Sequence, residues 1–490
     1  MVFSSLLFLI CFLPLCLGIY FLIKRIFNKN SAVELRAKNA VLLLFSIAFY
    51  AFGGVKYLLL LLGVIMLNWI GGFMCASERH KGLTRKVSLV IVVVLNLGLL
   101  FVFKYFNLLV GIVENMFFSE AEQFSLANVF LAKGNGALGI KEIVLPIGIS
   151  FYMFQALSYV VDVYRGVVSL QGNLCKFALY ISFFPQLIAG PIVQYKDVES
   201  QINSRTENTS LFAEGIIRFC YGLGKKVLLA NTFGETVDMI WELDVSQIGA
   251  AVGWFGAIAY SLQIYYDFSG YSDMAIGLGK MFGFNFKENF NLPYTAGSIQ
   301  EFWRRWHISL SSWFRDYVYI PLGGNRCARA KLYRNIFIVF VLTGIWHGAN
   351  QTFLIWGVAY AILLIAERAF VGEWLRKNPL KFVNRLFTFV TVTLLWVVFR
   401  AEDIFGAFSF IGSMFKKGTE DYSIMSFLSA KVILAFVAGI VLSGLFSAKK
   451  ENETCVKVSA TNCVFAFLLL VASMFLLVNG TYNPFIYFQF

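Results

Sequence analysis

Charge is scarce in this chain. Asp, Glu, Lys and Arg together make up 14% of its 490 residues, against 59% that are hydrophobic, and mean hydropathy is +0.71. No water-soluble domain keeps so much apolar side chain away from solvent, so this deficit excludes an ordinary soluble protein. No C-x-x-C pair occurs among the eight cysteines, which are scattered mostly through apolar stretches (Cys11, Cys16, Cys75, Cys220). That pattern argues against a disulfide framework and against a metal site such as zinc. A Ser/Pro/Gly linker and a repeat of fixed period are also missing, and a single membrane domain is the expectation. The first apolar segment, Val2 to Ile23, lacks a preceding basic residue and a small-residue cleavage site, and Lys24, Arg25 and Lys29 follow it. It reads as a retained span.

What is present in excess is apolar sequence in runs long enough to cross a bilayer, for which roughly 20 residues are needed. About ten to twelve helices of this kind are expected, at residues 2–23, 40–54, 57–76, 87–103, 144–163, 248–266, 336–346, 349–369, 386–399, 427–447 and 461–479. The fold class expected is all-α and polytopic, with membrane lipids as the solvent. The formal net charge of +13 sits mainly in short loops between these runs, so it marks topology and not a nucleic-acid partner. Basic loops at 24–38 and 79–86 are placed in the cytoplasm, as is the loop with Lys449, Lys450 and Lys457, which puts both chain termini outside. Between 174 and 230, Pro185, Gly190 and Pro191 interrupt an apolar stretch, and Arg218, Lys225 and Lys226 follow. Re-entrant elements buried in protein are expected there, because irregular backbone cannot face lipid.

Histidine is the rarest ionisable residue, with three in the chain. His80 lies in the basic loop S-E-R-H-K-G and is assigned no role. His347 stands in L-T-G-I-W-H-G-A-N at the break between two apolar segments, where an ionisable side chain is costly unless it pairs or works. An imidazole can take a proton from a hydroxyl and return it, which acyl transfer to an alcohol requires. Asn350 shares a helical face with His347 if that stretch is helical, and there it can orient the ring or donate to an oxyanion. A neutral histidine bonded to a carbonyl between helices is the plainer alternative. His307 lies in F-W-R-R-W-H-I-S-L-S-S-W-F-R, among Trp303, Trp306 and Trp313 and near Arg305, Arg315 and Arg326. Two readings stand: an anchor at the membrane interface, or arginines that gather an anionic acyl donor, Arg305 and Arg315 foremost, with His307 inside the site. Asp267, Ser269 and Asp273 follow an apolar span and either line an aqueous funnel or pair with the arginines. The tail N-P-F-I-Y-F-Q-F carries Tyr487, either part of an aromatic belt or a phenol that receives and passes on an acyl group.

Together, P-I-G-I-S-F-Y at 146–152, A-G-P-I at 189–192, D-F-S-G-Y-S-D-M-A at 267–275, F-W-R-R-W-H-I-S-L-S at 302–311 and W-H-G-A-N at 346–350 resemble the membrane-bound O-acyltransferase family. The branch most resembled is the alginate O-acetyltransferase-like group. The resemblance implies a ring of tilted helices around a thin centre, with helices at 1–143, a core at 144–400, and C-terminal helices with the aromatic tail at 401–490. It implies a tunnel joining a cytoplasmic donor pocket to an external funnel, with His347 as the catalytic histidine and His307 as the second polar position. Trp346, Asn350, Asp267 and Ser269 stand as supporting residues. The implied donor is an acyl thioester, acetyl-CoA or an acyl carrier protein, with no bound cofactor. The implied acceptor is a polysaccharide of the bacterial cell surface, reached through an extracytoplasmic partner transferase. D-alanyl transfer to teichoic acid is an alternative within the enzyme class. A transporter or flippase for a lipid-linked glycan is the alternative from another class.

Overall fold

The computed structural model describes residues 1–27, 31–77, 82–118, 143–418, 422–445, 458–480 and 482–486. His80, Lys449, Lys450, Lys457 and Tyr487 therefore lie outside the described residues. Every regular element among them is helical. A π-helical turn at Phe8–Phe12 leads into α1 (Leu13–Ile26), where Pro14 occupies the first turn and costs no internal hydrogen bond. Then come α2 (Ser31–Ala51), α3 (Val55–Cys75) and α4 (Leu83–Phe118). Six apolar stretches, Phe8–Ile26, Val55–Cys75, Leu83–Glu114, Gln351–Leu375, Lys381–Arg400 and Ala460–Asn479, are long enough to cross a membrane. They leave side chains such as Leu59, Phe387 and Phe475 largely exposed, which is stable only where the surroundings are themselves apolar.

Behind this outer layer lie elements buried on nearly every side. α5 (Ile149–Arg165) begins after Gly148, whose φ of +77° and whose distance of 2.5 Å from an added Cβ to the Leu187 carbonyl admit only glycine. α6 (Leu174–Ser182) is capped by Asn173 and breaks before Pro185 in the short α7 (Phe184–Leu187), and residues 177–195 are buried throughout. The backbone groups opened by this break are enclosed by protein, as expected for a proline-interrupted stretch. α8 (Tyr195–Asn203) follows. The next stretch corrects the expectation, because α9 (Thr209–Gly224) runs through a π-helical segment, Lys225–Ala230, straight into α10 (Asn231–Trp241). Its charges do not break the helix because they are neutralised inside the protein. Arg218 pairs with Asp273 and Glu288, and Lys225 with Asp273 at 2.6 Å.

α11 (Ala250–Met281) also departs from expectation, continuing fifteen residues past the predicted end at 266. Asp267, Ser269 and Asp273 thus belong to a helix surrounded by protein and not to a polar loop. Its first half packs in one aromatic core with residues of α10, and its second half in another with residues of α1 to α6. Two short helices, α12 (Ile299–Arg305) and α13 (Ile308–Phe314), meet at His307. Trp303, Trp306 and Trp313 are buried and not interfacial. Trp306 packs on Phe290 and Trp396, Trp303 on Trp356 and Tyr360, and Trp313 stacks on Phe154 at 3.8 Å. The run of tryptophans fits a belt and a core equally well by composition, and only packing separates the two.

α14 (Arg329–His347) and α15 (Gln351–Ala366) form the next pair, followed by α16 (Gly372–Lys377), α17 (Lys381–Arg400), α18 (Ile404–Ser413), α19 (Ala430–Leu442) and α20 (Ala460–Asn479). Small residues let α14 and α15 approach closely: a Cβ on Gly344 would lie 2.4 Å from the Phe353 carbonyl, and one on Gly357 2.5 Å from that of Phe340. The two described chain ends meet, Ser4 Oγ donating to Asn483 Oδ1 at 3.2 Å and Asn483 Nδ2 to the Ser4 carbonyl at 3.1 Å. Both ends therefore share one face of the helix assembly. Overpacking the α14–α15 crossing with Gly344→Ala is expected to destabilise by about 1–3 kcal/mol, read as a lower thermal midpoint in detergent. Gly18→Ala, where nothing lies within 4 Å of the added atom, should leave the midpoint unchanged.

Candidate active site

His347 is the last residue of α14, and the backbone turns extended at Gly348. Its ring is 6% exposed and lies at the seam of the two aromatic cores, with Trp346 on one side and Phe353, Trp356 and Phe399 on the other. It is not sealed in dry packing. A cavity of about 270 Å³ opens against it, lined also by Trp346, Lys104, Ile188 and the Val144–Phe151 segment at the start of α5. A helix that stops inside protein leaves carbonyls without intrahelical donors. Those of Ile345 and Trp346 are taken by α4, Tyr105 Oη donating to the first and Lys104 Nζ to the second. The lysine also lies 5.6 Å from the centre of the Trp346 ring. Lys104 went unnoticed in the sequence because the predicted span ended at 103. The signal was a lone lysine in the run L-L-F-V-F-K-Y-F, since an ionisable residue inside a span is a functional candidate by default.

His307 sits at the break between α12 and α13 with φ +43° and ψ +54°, a left-handed conformation shared by only one other non-glycine among the described residues, Leu292. Such a backbone costs on the order of 1–3 kcal/mol and persists only where neighbours fix it. Asn289 does so. Its carbonyl accepts from Ile308 N at 2.9 Å, and its Oδ1 accepts from Ser309 N at 3.1 Å, from Ser309 Oγ at 2.8 Å and from His307 Nδ1 at 3.2 Å. With Oδ1 as acceptor, Nδ1 carries the ring proton and Nε2 the lone pair. Ser309 Oγ also receives the N–H of Ile192, tying the A-G-P-I segment to the same point. The His307 ring meets Phe268 edge-on at 4.6 Å and shares Trp346 with His347, the ring centres lying 6.2 and 5.0 Å from the indole. The structure thus brings both histidines and Trp346 together.

Other expected site residues fall elsewhere. Asn350 does not continue the helix of His347. It caps α15, its Oδ1 accepting from Thr352 N at 3.1 Å and its Nδ2 donating to the Glu402 carbonyl at 2.5 Å. Its Oδ1 and one of its two Nδ2–H groups are thus engaged away from the imidazole. Among the described residues, Asp267 lines neither the cavity at His347 nor those along α14, and its ion-pair partner is a lysine, not an arginine. It binds Lys226 at 2.6 Å and accepts the N–H of Ile486 at 2.8 Å, while Lys226 also donates to the Pro484 carbonyl. Pro484 and Ile486 are therefore held against the core, and Ile486 belongs to the aromatic cluster that holds Phe268, Phe353, Trp356 and Phe399. Ser269 is buried on α11, and its hydroxyl has no protein hydrogen-bond partner among the described residues. Tyr487, the next residue in sequence, lies outside those described.

The arginines divide. Arg305 pairs with Glu301 at 2.8 Å and, with Arg304, Arg329, Arg368 and Lys381, lines a polar cavity of about 1130 Å³. Arg315 is exposed beside Asp316 and borders an apolar slot of about 290 Å³, which shares Gln300, Arg304, Asn325, Leu364 and Arg368 with that cavity. Arg326 is exposed. Replacing Asn289 by alanine strips three donors of one acceptor and is expected to destabilise by about 1–3 kcal/mol, seen as a lower thermal midpoint, with Asn289→Asp, which keeps the acceptor, losing less.

Comparison with known proteins bears on this arrangement. The chain is 41% identical to the probable alginate O-acetylase AlgI of Pseudomonas putida over the full length of both. It is 34% identical to the peptidoglycan O-acetyltransferase of Helicobacter pylori, over 84% of this chain and 80% of that one. It is 28% identical to the teichoic acid D-alanyltransferase of Bacillus subtilis, over 51% of this chain and 65% of that one. The family model described as the membrane-bound O-acyltransferase family matches residues 42–411, a stretch that holds both histidines, the Lys104 cap and all three cavities. With two buried imidazoles meeting at the end of α14 and this extent of likeness, the chain belongs to the membrane-bound O-acyltransferase family and is an O-acyltransferase of the membrane.

Proposed function

We propose that the protein takes an acyl group, acetyl, from a thioester on the cytoplasmic side and passes it through the membrane for O-acylation of a cell-surface polysaccharide, with His347 as the general base. The observation that supports this reading is that His347 lines the cavity at the start of α5 and ends the helix that lines the other two. α14 borders first the polar cavity, at Arg329 and Tyr333, and then the apolar slot, as far as Thr343. From Arg329 to Thr343 is a rise of about 21 Å at 1.5 Å per residue, and one more turn reaches His347. A long thioester-bearing arm suits that slot, and five cationic side chains suit the phosphates at its far end. Coenzyme A and an acyl carrier protein both have this chemistry.

In the reaction, His347 takes the proton of an acceptor hydroxyl, whose oxygen attacks the thioester carbonyl. The tetrahedral intermediate expels the thiolate, which recovers the proton from the imidazolium. One C–O bond forms and one C–S bond breaks. His307, held by Asn289 beside the same indole, supports the site. Acetyl and a polysaccharide are favoured because the relatives aligned over most of the chain bear the names of O-acetylases of alginate and peptidoglycan, whereas the D-alanyltransferase aligns over about half. The hydroxyl is that of Tyr487 or of a bound partner. The ties at Pro484 and Ile486, in the aromatic cluster around the histidines, support the tyrosine, and a second transferase outside the membrane then places the group on the polymer. In this arrangement both chain termini are external.

His347→Ala is expected to abolish surface O-acylation, a loss of at least the roughly 10²–10⁴-fold that a general base contributes, with protein still present in the membrane. Mass analysis of acyl esters released from cells with and without the variant measures it, and normal acylation in the variant refutes the role. Tyr487→Phe tests the relay by the same analysis. Undiminished transfer to polymer would leave the tail as an anchor only.

A further inference from the structure

Asn350 caps α15, binds the Glu402 carbonyl and does not line the cavity at His347, so a donor to an oxyanion developing in that cavity comes from the residues that do line it. Of the residues lining the cavity at His347, Lys104 is the one besides the histidine itself whose side chain can take a positive charge. Among the described residues no carboxylate lies within ion-pair distance of it, whereas Lys38, Lys225, Lys226, Lys280 and Arg218 all have such partners. One of its three N–H groups is spent on the Trp346 carbonyl, which fixes the ammonium next to the residue that bears the base. Two N–H groups remain. The same cavity is lined by the first turn of α5, Ile149 to Phe151, and an N-terminal helix end also favours negative charge. Both features therefore favour an anion in that space, and neither supplies a base.

We propose that Lys104 is a further catalytic residue, whose ammonium donates to the carbonyl oxygen of the thioester as negative charge grows on it in the tetrahedral intermediate. The inference rests on the reading of His347 as the base. The two groups then divide the step: His347 moves the proton, and Lys104 holds the charge that appears two bonds away on the carbonyl oxygen. A fixed cation in a water-poor cavity stabilises that charge without reorganising at the moment of reaction. Tyr105, which closes the neighbouring carbonyl at Ile345, does not line the cavity and supplies only the structural half of the same α4 contact.

Full-length protein in membrane vesicles, with acetyl-coenzyme A as the donor probe and thiol release as the readout, separates the two roles of Lys104. Lys104→Gln keeps a donor for the Trp346 carbonyl but no charge. It is expected to lower kcat by about 10²–10³-fold, the usual effect of losing one oxyanion donor, with KM for the donor little changed. Lys104→Arg should recover most of that loss. Tyr105→Phe should lower the thermal midpoint and leave kcat as it is. A Lys104→Gln variant with wild-type kcat overturns the proposal. So does a well-folded Lys104→Arg variant no faster than Lys104→Gln, even if the latter proves unstable. His347→Ala runs alongside: its turning over normally breaks the reading of the site, whereas its inactivity beside an active Lys104→Gln breaks only the assignment of Lys104.

Discussion

Helix α14 ends inside the protein, and everything around the site follows from how that end is closed. A helix terminating in water has its last carbonyls solvated. Here Lys104 and Tyr105 of α4 take those of Trp346 and Ile345, and each unmade bond would cost about 1–3 kcal/mol. Because α4 supplies the caps, the outer layer of helices is tied to the place where His347 is presented. The glycine crossing of α14 on α15 then holds the helix from its other face.

The same rule governs charge throughout the interior. Arg218, Lys225, Asp273 and Glu288 neutralise one another where α9 passes α11, and Lys226 and Asp267 do so one turn away. Removing one partner from such a set would strand a charge, which is why these residues tolerate burial only as groups. Asp267 has a further consequence. By accepting the N–H of Ile486 it makes the C-terminal segment part of the core, so the two ends of the chain, Ser4 and Asn483, meet beside each other. Phe485 and Ile486 are thereby buried in the two aromatic cores.

His307 shows a different economy. Its left-handed backbone breaks what would otherwise be one helix into α12 and α13 and turns the imidazole toward Trp346. The conformation is held by one asparagine, Asn289, from a loop eighteen residues earlier, which also receives Ser309 and through it the A-G-P-I segment. Two stretches that read as separate motifs in the sequence are thus one hydrogen-bonded unit with the loop that carries Asn289.

The sequence by itself determined the class of the protein, because hydropathy and span length decide whether a helix must face lipid. It also determined the two histidines, because so few ionisable residues fall at membrane depth that His347 and His307 stand out. The broken stretch around Pro185 was legible for the same reason, since proline and glycine act locally. Tertiary structure alone decided the partners. Nothing in the order of residues says that Asn350 caps a helix, that Asp267 meets Lys226 and the chain's end, or that three tryptophans face a core and not an interface. Those outcomes depend on which surfaces pack, and a span ended at 103, inside a helix that runs on to Phe118, hid Lys104. Periodicity and composition report what a residue's own neighbours require, whereas a buried charge or an open carbonyl is satisfied by whatever the fold brings from far along the chain.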